Sequence, residues 1–254
     1  MRIQTYAPKS FRIVQIVEGH FEPLVVTKSQ RITSLSDKDK ESSTSAATAE
    51  PHRWEDAYKK GKEALPWDTG APAPELVRYL ESSAMPKQIL EIGCGTGSNA
   101  IWMAERGASV LATEISPTAI EMAQKKLEHN KSLKLEFRLA DIIESSPVKD
   151  GTIDFVFDRG VYHVMPDNNS RTTFIARVAA ALKEGGFWLC IAGSVDEDRP
   201  EGAGGPPQLN ASDLVDLAQK YFELFHLKRI LSSGPYGNEI VMWEALYRKR
   251  ALKK

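Results

Sequence analysis

Short apolar runs alternate with segments of helical periodicity from Trp54 onward. Apolar runs bounded by turn residues predict buried strands, and spacings of three and four predict amphipathic helices. The predicted strands are 88–92, 109–114, 133–138, 153–158, 186–192, 225–231 and 240–247. The predicted helices are 74–82, 98–106, 117–128, 169–182 and 211–221. This alternation indicates parallel βαβ units.

The connection between the last two predicted strands is short and rich in turn residues. It covers 232–238, which reads SSGPYGN and has no room for a crossover helix. Strands joined in this way pair antiparallel. We therefore predict an α/β fold: a doubly wound, seven-stranded Rossmann-like sheet, mostly parallel, with a C-terminal antiparallel hairpin.

The first fifty residues differ from the remainder of the chain. Ser, Thr, Ala, Lys and Glu dominate 33–50, which leaves little apolar surface to bury. We predict a flexible N-terminal appendage and linker over 1–50, and one folded domain over 51–254.

Composition restricts the classes of partner. The chain has 254 residues, a net charge of −1 and 42% hydrophobic residues. That balance gives no electrostatic footprint for a nucleic acid or an anionic membrane surface. No apolar run approaches the ~18 residues of a membrane span, and no secretory signal begins the chain. We predict a cytoplasmic protein with a small-molecule substrate; the pattern does not indicate an oligomeric state.

Cysteine and histidine usage argues against a metal centre. The two cysteines, Cys94 and Cys190, are far apart, and the five histidines form no H-E-x-x-H spacing. We predict no protein-bound metal, although a carboxylate-held Mg²⁺ stays open at this point.

A glycine-rich turn follows the first predicted strand. The pattern is E-x-G-x-G-x-G, from Glu91 through Gly93, Gly95 and Gly97, and Ser98 stands where a dinucleotide fingerprint has its third glycine. An acidic residue beside the turn would repel a pyrophosphate and attract a cation. S-adenosylmethionine has no phosphate and carries a sulfonium and an ammonium group, so the pattern favours it as cofactor.

A second carboxylate strengthens this prediction. Glu114 ends the second predicted strand, close to the interval of roughly 20 residues at which a carboxylate reaches the ribose hydroxyls in βαβ nucleotide sites. The alternative is an exposed charge at a strand end.

Several local motifs resemble one enzyme family. These are Trp54-x3-Tyr58, Pro66-Trp67-Asp68-x-Gly70, the run FDRGVYH at 157–163 and the run GPP at 205–207. With the glycine turn, they resemble class I S-adenosylmethionine-dependent methyltransferases, and within them the thiopurine, thiol/halide and tellurite-resistance group. Tyr58 replaces a tryptophan of the plant thiol-methyltransferase pattern.

The resemblance implies a set of cofactor contacts. The three glycines, with Cys94 between them, would let the backbone approach the methionine portion, because a Cβ would fill its space or forbid a positive φ. Glu114 would bind the ribose, and Ile115 would flank the adenine. Asp141 would accept from the adenine amino group with Ile142 against the ring; a turn-capping aspartate is the alternative.

The aromatic residues ahead of the first core helix have two possible uses. Trp54, Tyr58 and Trp67 could cover the bound sulfonium, since aromatic faces attract cations. Plain core packing of an N-terminal helix is the alternative.

The expected chemistry is an in-line displacement at the sulfonium methyl group, which depends mainly on orientation. His163 is the first candidate for a base or substrate-orienting group, with a structural histidine as its alternative. Asp158, which also lies beside the cofactor crevice, and Tyr162 are weaker candidates. We predict a small-molecule acceptor: a thiol, thiopurine, halide, metalloid or hydroxylated heteroaromatic compound. A protein or RNA methyltransferase and a non-catalytic regulator are the alternatives.

Overall fold

The structure is a computed structural model that describes residues 51–61, 65–128, 130–200, 204–233 and 239–251. The predicted appendage over 1–50 lies outside the described residues. The strands are β1 Gln88–Ile92, β2 Ser109–Glu114, β3 Leu135–Leu139, β4 Ile153–Arg159, β5 Leu182–Gly193, β6 Phe222–Ser233 and β7 Glu239–Lys249. The α-helices are α1 Pro51–Lys59, α2 Pro74–Glu81, α3 Ser98–Glu105, α4 Pro117–Leu127, α5 Asn168–Ala181 and α6 Ala211–Val215.

Seven strands form one mixed sheet in the order β3-β2-β1-β4-β5-β7-β6. The first five pair parallel, and β7 is antiparallel to both β5 and β6. The predicted fold class is therefore confirmed, including the antiparallel C-terminal pair. The chain reverses direction of travel across the sheet between β1 and β4, which creates the switch point where open α/β sheets bind ligands.

Each face of the sheet carries its own apolar cluster. Leu76 of α2, Met103 of α3 and Phe157 of β4 belong to the cluster on one face. The other face holds Trp188 of β5, stacked on Tyr247 of β7 with ring centroids 4.6 Å apart. Burial on both faces explains why the parallel strands are near-continuous apolar runs in the sequence.

Local signals fix two helix boundaries next to the site. The Ser116 hydroxyl accepts from the Ala119 amide at 3.1 Å, and Pro117 begins α4. Ser as the cap and Pro in the first turn are the residues that this position favours. Gly107, with φ of 92°, follows α3 and donates to the Ala104 carbonyl at 2.9 Å. Both boundaries agree with the sequence-based expectation.

Two elements differ clearly from the prediction. The helix expected over 211–221 is shorter: α6 ends at Val215, and a separate 3₁₀ turn covers Ala218–Lys220. Strand β5 begins directly after α5, at Leu182, and the register against β4 shifts between Ile153 and Phe155. Residues 140–152, where no helix was predicted, connect β3 to β4 through turns. In the described ranges, no helix is both long and apolar enough to cross a bilayer.

Candidate active site

The glycine turn lies between the carboxyl end of β1 and the start of α3. Gly93 and Cys94 both donate to the Thr113 carbonyl, at 2.8 and 2.9 Å, which holds the turn against the end of β2. Gly93, Gly95 and Gly97 have φ of 70°, 53° and 83°. Residues other than glycine rarely adopt positive φ values, so the backbone conformation of this turn itself requires glycine at the three positions.

Each of these glycines also lies against a protein side chain. A Cβ on Gly93 would be 2.2 Å from Val161 Cγ2, and one on Gly97 would be 2.5 Å from Phe137 Cζ. On Gly95 it would be 2.8 Å from the Tyr58 hydroxyl. The missing side chains therefore make room for neighbouring protein groups, a packing reason that the sequence did not indicate.

Glu91 carries the clearest sign of a ligand site. Its side chain is buried, and Oε1 accepts from Asn99 Nδ2 at 2.9 Å, whereas Oε2 is buried without a hydrogen-bond partner. Burial, opposed by the Asn99 hydrogen bond, raises the pKa of Glu91 to about 8, and the nearby Glu114 adds to the rise. A buried carboxylate oxygen without a partner is costly, so it points to a cationic occupant of the site.

Glu114 faces the same turn from the end of β2. Its Oε2 accepts from the Gly95 amide at 3.0 Å, and Oε1 accepts from the amides of Ile115 at 2.8 Å and Ser116 at 3.1 Å. Burial raises the pKa of Glu114 in spite of these three donors. A carboxylate has about four acceptor positions, so it retains capacity for a ligand hydroxyl.

The residues predicted around the adenine follow the ends of β2 and β3. The Ala140 amide donates to the Glu114 carbonyl at 3.0 Å, which brings the two strand ends together. Asp141 Oδ1 accepts from the Ile143 amide at 2.7 Å, so this residue does form the turn that was its alternative interpretation. Ile142 is buried and Ile115 is half-buried.

The aromatic residues pack on one another above the glycine turn. Trp67 meets Trp54 edge to face at 5.5 Å between ring centroids, and its Nε1 donates to the Tyr58 hydroxyl at 3.3 Å. Tyr58 is buried and Trp67 is 39% exposed. Burial raises the pKa of Tyr58, and the negative charge of Glu114 contributes to that rise. The three rings thus pack on one another and also lie above the glycine turn, so these contacts agree with both the predicted covering role and its packing alternative.

Residues 65–73, which we call the cover segment, are attached to the glycine turn and the start of α3 by two hydrogen bonds that the sequence did not indicate. Thr96 Oγ1 donates to Asp68 Oδ2 at 2.8 Å, and the Ala73 amide donates to Asn99 Oδ1 at 2.8 Å. Asp68 belongs to the PWD motif, which could have indicated this contact. Asn99 lies in no motif that could have indicated its contact.

Helix α1 docks on the start of α4 through Glu55. Its carboxylate accepts from the Ser116 hydroxyl at 2.6 Å and from the Thr118 hydroxyl at 2.7 Å and amide at 3.2 Å. These hydrogen bonds, that to Ser116 being the strongest, lower the pKa of Glu55 to about 2. A carboxylate is well placed at a helix N-terminus. The contact fixes the aromatic rings of α1 above the turn.

Asp158 ends β4 but is occupied by the protein. Oδ1 accepts from the amides of Val161 and Tyr162, both at 3.0 Å, and Oδ2 accepts from Trp188 Nε1 at 3.3 Å. The Tyr162 hydroxyl donates to the Asp213 carbonyl at 2.7 Å. Both side chains are buried. The geometry therefore favours a structural role for Asp158 and Tyr162 over the catalytic role that we predicted.

His163 lies in the 3₁₀ turn Tyr162–Val164 after β4 and is buried. Its Nδ1 accepts from the Gly193 amide at 2.8 Å. Burial lowers the pKa of His163 to about 3, and the positive charges of Arg159 and Arg199 contribute. The neutral ring then carries its proton on Nε2. In this tautomer His163 is a hydrogen-bond donor, which favours the orienting role over that of a base.

A groove of about 600 Å³ lies elsewhere, at the amino ends of β1, β2 and β3. Its lining includes Gln88, Ser109 and Thr152, and none of the predicted site residues belongs to it. In open α/β sheets the ligand crevice is at the carboxyl ends of the strands. The unpartnered Glu91 oxygen is at that end, so we assign the site there.

Comparison with known proteins agrees with the fold. A solved structure of the 1,6-didemethyltoxoflavin-N1-methyltransferase of Burkholderia thailandensis, with S-adenosylhomocysteine bound, matches with a TM-score of 0.62 at 16% identity, over 79% of this chain and 87% of that one. The fold is thus that of S-adenosylmethionine-dependent methyltransferases.

Sequence comparison identifies the family. The thiopurine S-methyltransferase family model matches residues 49–236, and the chain belongs to that family. It is therefore a methyltransferase that uses S-adenosylmethionine, as the glycine turn indicated.

Two curated relatives have names that indicate small-molecule acceptors. The 2-heptyl-1-hydroxyquinolin-4(1H)-one methyltransferase of Mycobacteroides abscessus is 26% identical over 157 residues, which are 62% of this chain and 68% of that protein. The probable thiol methyltransferase 2 of Arabidopsis thaliana is 30% identical over 156 residues, 61% of this chain and 65% of that protein. The matches span about two thirds of each relative.

Proposed function

We propose that this protein transfers the methyl group of S-adenosylmethionine to the ionised sulfur or oxygen of a small molecule. The observation that carries the proposal is the buried, unpartnered Oε2 of Glu91 at the glycine turn. It fits the ammonium of the cofactor, since a buried charge requires an opposite charge with good hydrogen bonds. The names of the relatives, one a thiol and one a hydroxyquinolone methyltransferase, support the acceptor class.

The remaining cofactor contacts follow from the same placement. Glu114 would bind the ribose hydroxyls with its remaining acceptor capacity, and Ile115 and Ile142 would contact the adenine, whose amino group would donate to Asp141. Trp54, Tyr58 and Trp67 would exclude water from above. Cys94 stays a buried packing residue in this proposal, because burial and the negative charges of Glu91 and Glu114 raise its pKa well above the ordinary value.

His163 would orient the acceptor by donating from Nε2. Arg159 and Arg199 bring positive charge to the surroundings of His163, and each is ion-paired with a carboxylate, Glu75 and Glu197 respectively. A thiol with a pKa near 8.5 is already partly ionised at neutral pH. Methyl transfer then needs the nucleophile, methyl carbon and sulfonium in line, and such orientation can supply roughly 7 to 11 kcal/mol of the barrier.

The test is a transfer assay with methyl-tritiated S-adenosylmethionine and a panel of thiols, thiopurines, thiocyanate, iodide, metalloid oxyanions and hydroxyquinolones. We expect labelled product with at least one ionisable thiol or hydroxylated heteroaromatic compound. Transfer to protein or RNA alone, or cofactor binding without transfer to any acceptor, would overturn the proposal in favour of a macromolecular methyltransferase or a regulator. We also propose that the protein is cytoplasmic and has no nucleic-acid or membrane partner, because the net charge of the chain is close to zero.

A further inference from the structure

The side chain of Asn99, the second residue of α3, connects two parts of the candidate site. Its Nδ2 donates to Glu91 Oε1 at 2.9 Å, and its Oδ1 accepts from the Ala73 amide at 2.8 Å. The two contacts need opposite ends of the amide. A flipped amide would point its NH₂ group at the Ala73 amide and its oxygen at a carboxylate, so the orientation is fixed by its partners.

Asn99 leaves one oxygen of Glu91 for a ligand. Because Oε1 is occupied by the amide, the partner-free oxygen is Oε2. The titratable groups that face Glu91 are Glu114 from β2 and Cys94 from the turn, and neither supplies a positive charge. Asn99 is thus the side-chain donor that favours the ionised form of Glu91, together with the backbone amide of Ala100.

The same side chain holds the end of the cover segment. Ala73 is the N-cap residue of α2, and it has no side-chain cap of its own. Its amide is bound by Asn99, while Asp68 attaches the middle of the segment to Thr96. The side-chain amide of Asn99 therefore fixes the position of the cover segment relative to the Glu91 carboxylate.

We propose that Asn99 is a positioning residue for cofactor binding, which turns Glu91 Oε2 toward the ammonium of S-adenosylmethionine and fixes the cover segment above it. This inference rests on the proposed function. It requires that Asn99 act through Glu91 rather than through the stability of α3.

The test compares Asn99→Ala and Asn99→Asp with the wild-type protein by calorimetric titration with S-adenosylmethionine between pH 6 and 8.5. We expect about tenfold weaker binding for Asn99→Ala at pH 7.5, because a hydrogen bond to a charged group is lost. The pH below which affinity declines should rise in the order wild type, Asn99→Ala, Asn99→Asp. Aspartate still accepts from Ala73 but places a second charge beside Glu91.

Two further variants separate positioning from stability. In a Glu91→Gln background, Asn99→Ala should weaken binding by a clearly smaller factor than in the wild-type background, because the contribution through the Glu91 carboxylate is already gone and only the contact with the Ala73 amide is lost. Asn169→Ala is the matched control, because Asn169 is the exposed second residue of α5; it should bind as the wild type does. Asn99→Ser is the second variant if Asn99→Ala does not fold.

The outcomes are distinguishable. No binding of S-adenosylmethionine to the wild-type protein would overturn the proposed function and this inference together. Wild-type binding with unchanged pH dependence in both Asn99 variants, or with additive effects of Asn99 and Glu91, would overturn the role of Asn99 alone.

Discussion

Cofactor binding should displace a proton from Glu91. In the empty protein burial raises the pKa of this carboxyl to about 8, so it is mostly protonated at pH 6 to 7. An ammonium ligand requires the ionised form. Removing the proton costs about 1.4 kcal/mol for each pH unit below the pKa, so affinity should fall about tenfold per unit, by about 2.7 kcal/mol at pH 6.

The Glu91→Gln variant measures how much the ionised carboxylate contributes to cofactor binding. A hydrogen bond to a charged group contributes about 1.5 to 3 kcal/mol, so the variant should bind more weakly than the wild type by that amount at pH 8 and above. At pH 6 the proton removal cancels the wild-type advantage, and the two affinities should converge. The variant should also be more stable than the empty wild-type protein near pH 8. A raised acid pKa means that folding stability is present below about pH 4.5 and falls as pH rises toward 8.

The assay is isothermal titration calorimetry with S-adenosylmethionine in two buffers of different ionisation enthalpy. We expect the largest proton release near pH 7, at about half to nearly one proton per cofactor for the wild type, because a free pKa of about 8 and an advantage of about 1.5 to 3 kcal/mol put the bound pKa at about 6 to 7. Glu91→Gln should release none from this position. Glu244→Gln is the control, because Glu244 is a buried carboxylate on β7 that is bound by Arg78, His226 and Lys228. It should keep the wild-type proton release. An affinity that is independent of pH from 6 to 8, or equal slopes for the wild type and Glu91→Gln, would refute the reasoning.

Four further predictions follow from the site. Glu114→Ala should weaken cofactor binding by about 1.5 to 3 kcal/mol in a titration, and an unchanged dissociation constant would remove Glu114 from the site. His163→Ala should lower turnover at saturating cofactor without changing cofactor affinity. His163→Asn can still accept from the Gly193 amide, but it should also be slow if Nε2 orients the acceptor. A wild-type rate for either variant contradicts that role. Gly97→Ala should lower the denaturant-derived unfolding free energy by about 2 kcal/mol or more, from the positive φ and the contact with Phe137, so wild-type stability would exclude this packing. Glu55 has a lowered pKa, so its contribution to stability should be complete above pH 4.5 and decline toward pH 2; a Glu55→Gln variant whose melting temperature follows the wild-type pH profile over that range would count against the docking contact.

The elements nearest the site were the most predictable from sequence. The Ser116-Pro117 start of α4 and the stop at Gly107 depend on residues that act on their own backbone, so a single sequence reveals them. The antiparallel pairing of the last two strands follows from the short connection between them. The sequence did not predict the boundary between α5 and β5, because pairing with β4 extends β5 back to Leu182.

The chemistry around the turn was only partly predictable. The sequence indicated that Glu91 and Glu114 belong together, because strand ends meet at one edge of a parallel sheet. It did not reveal that Asp158 and Tyr162 are occupied by hydrogen bonds within the protein, or that Asn99 joins Glu91 to Ala73. Such contacts depend on side-chain directions across distant segments, which no local pattern encodes.

The central claim is that carboxylates at the glycine turn bind a cationic cofactor. Its most direct test is a titration of the wild-type protein with S-adenosylmethionine, S-adenosylhomocysteine and NAD at pH 8. We predict micromolar binding of the first two and no measurable heat from NAD. Equal or tighter binding of NAD, or no binding of S-adenosylmethionine, would contradict the account.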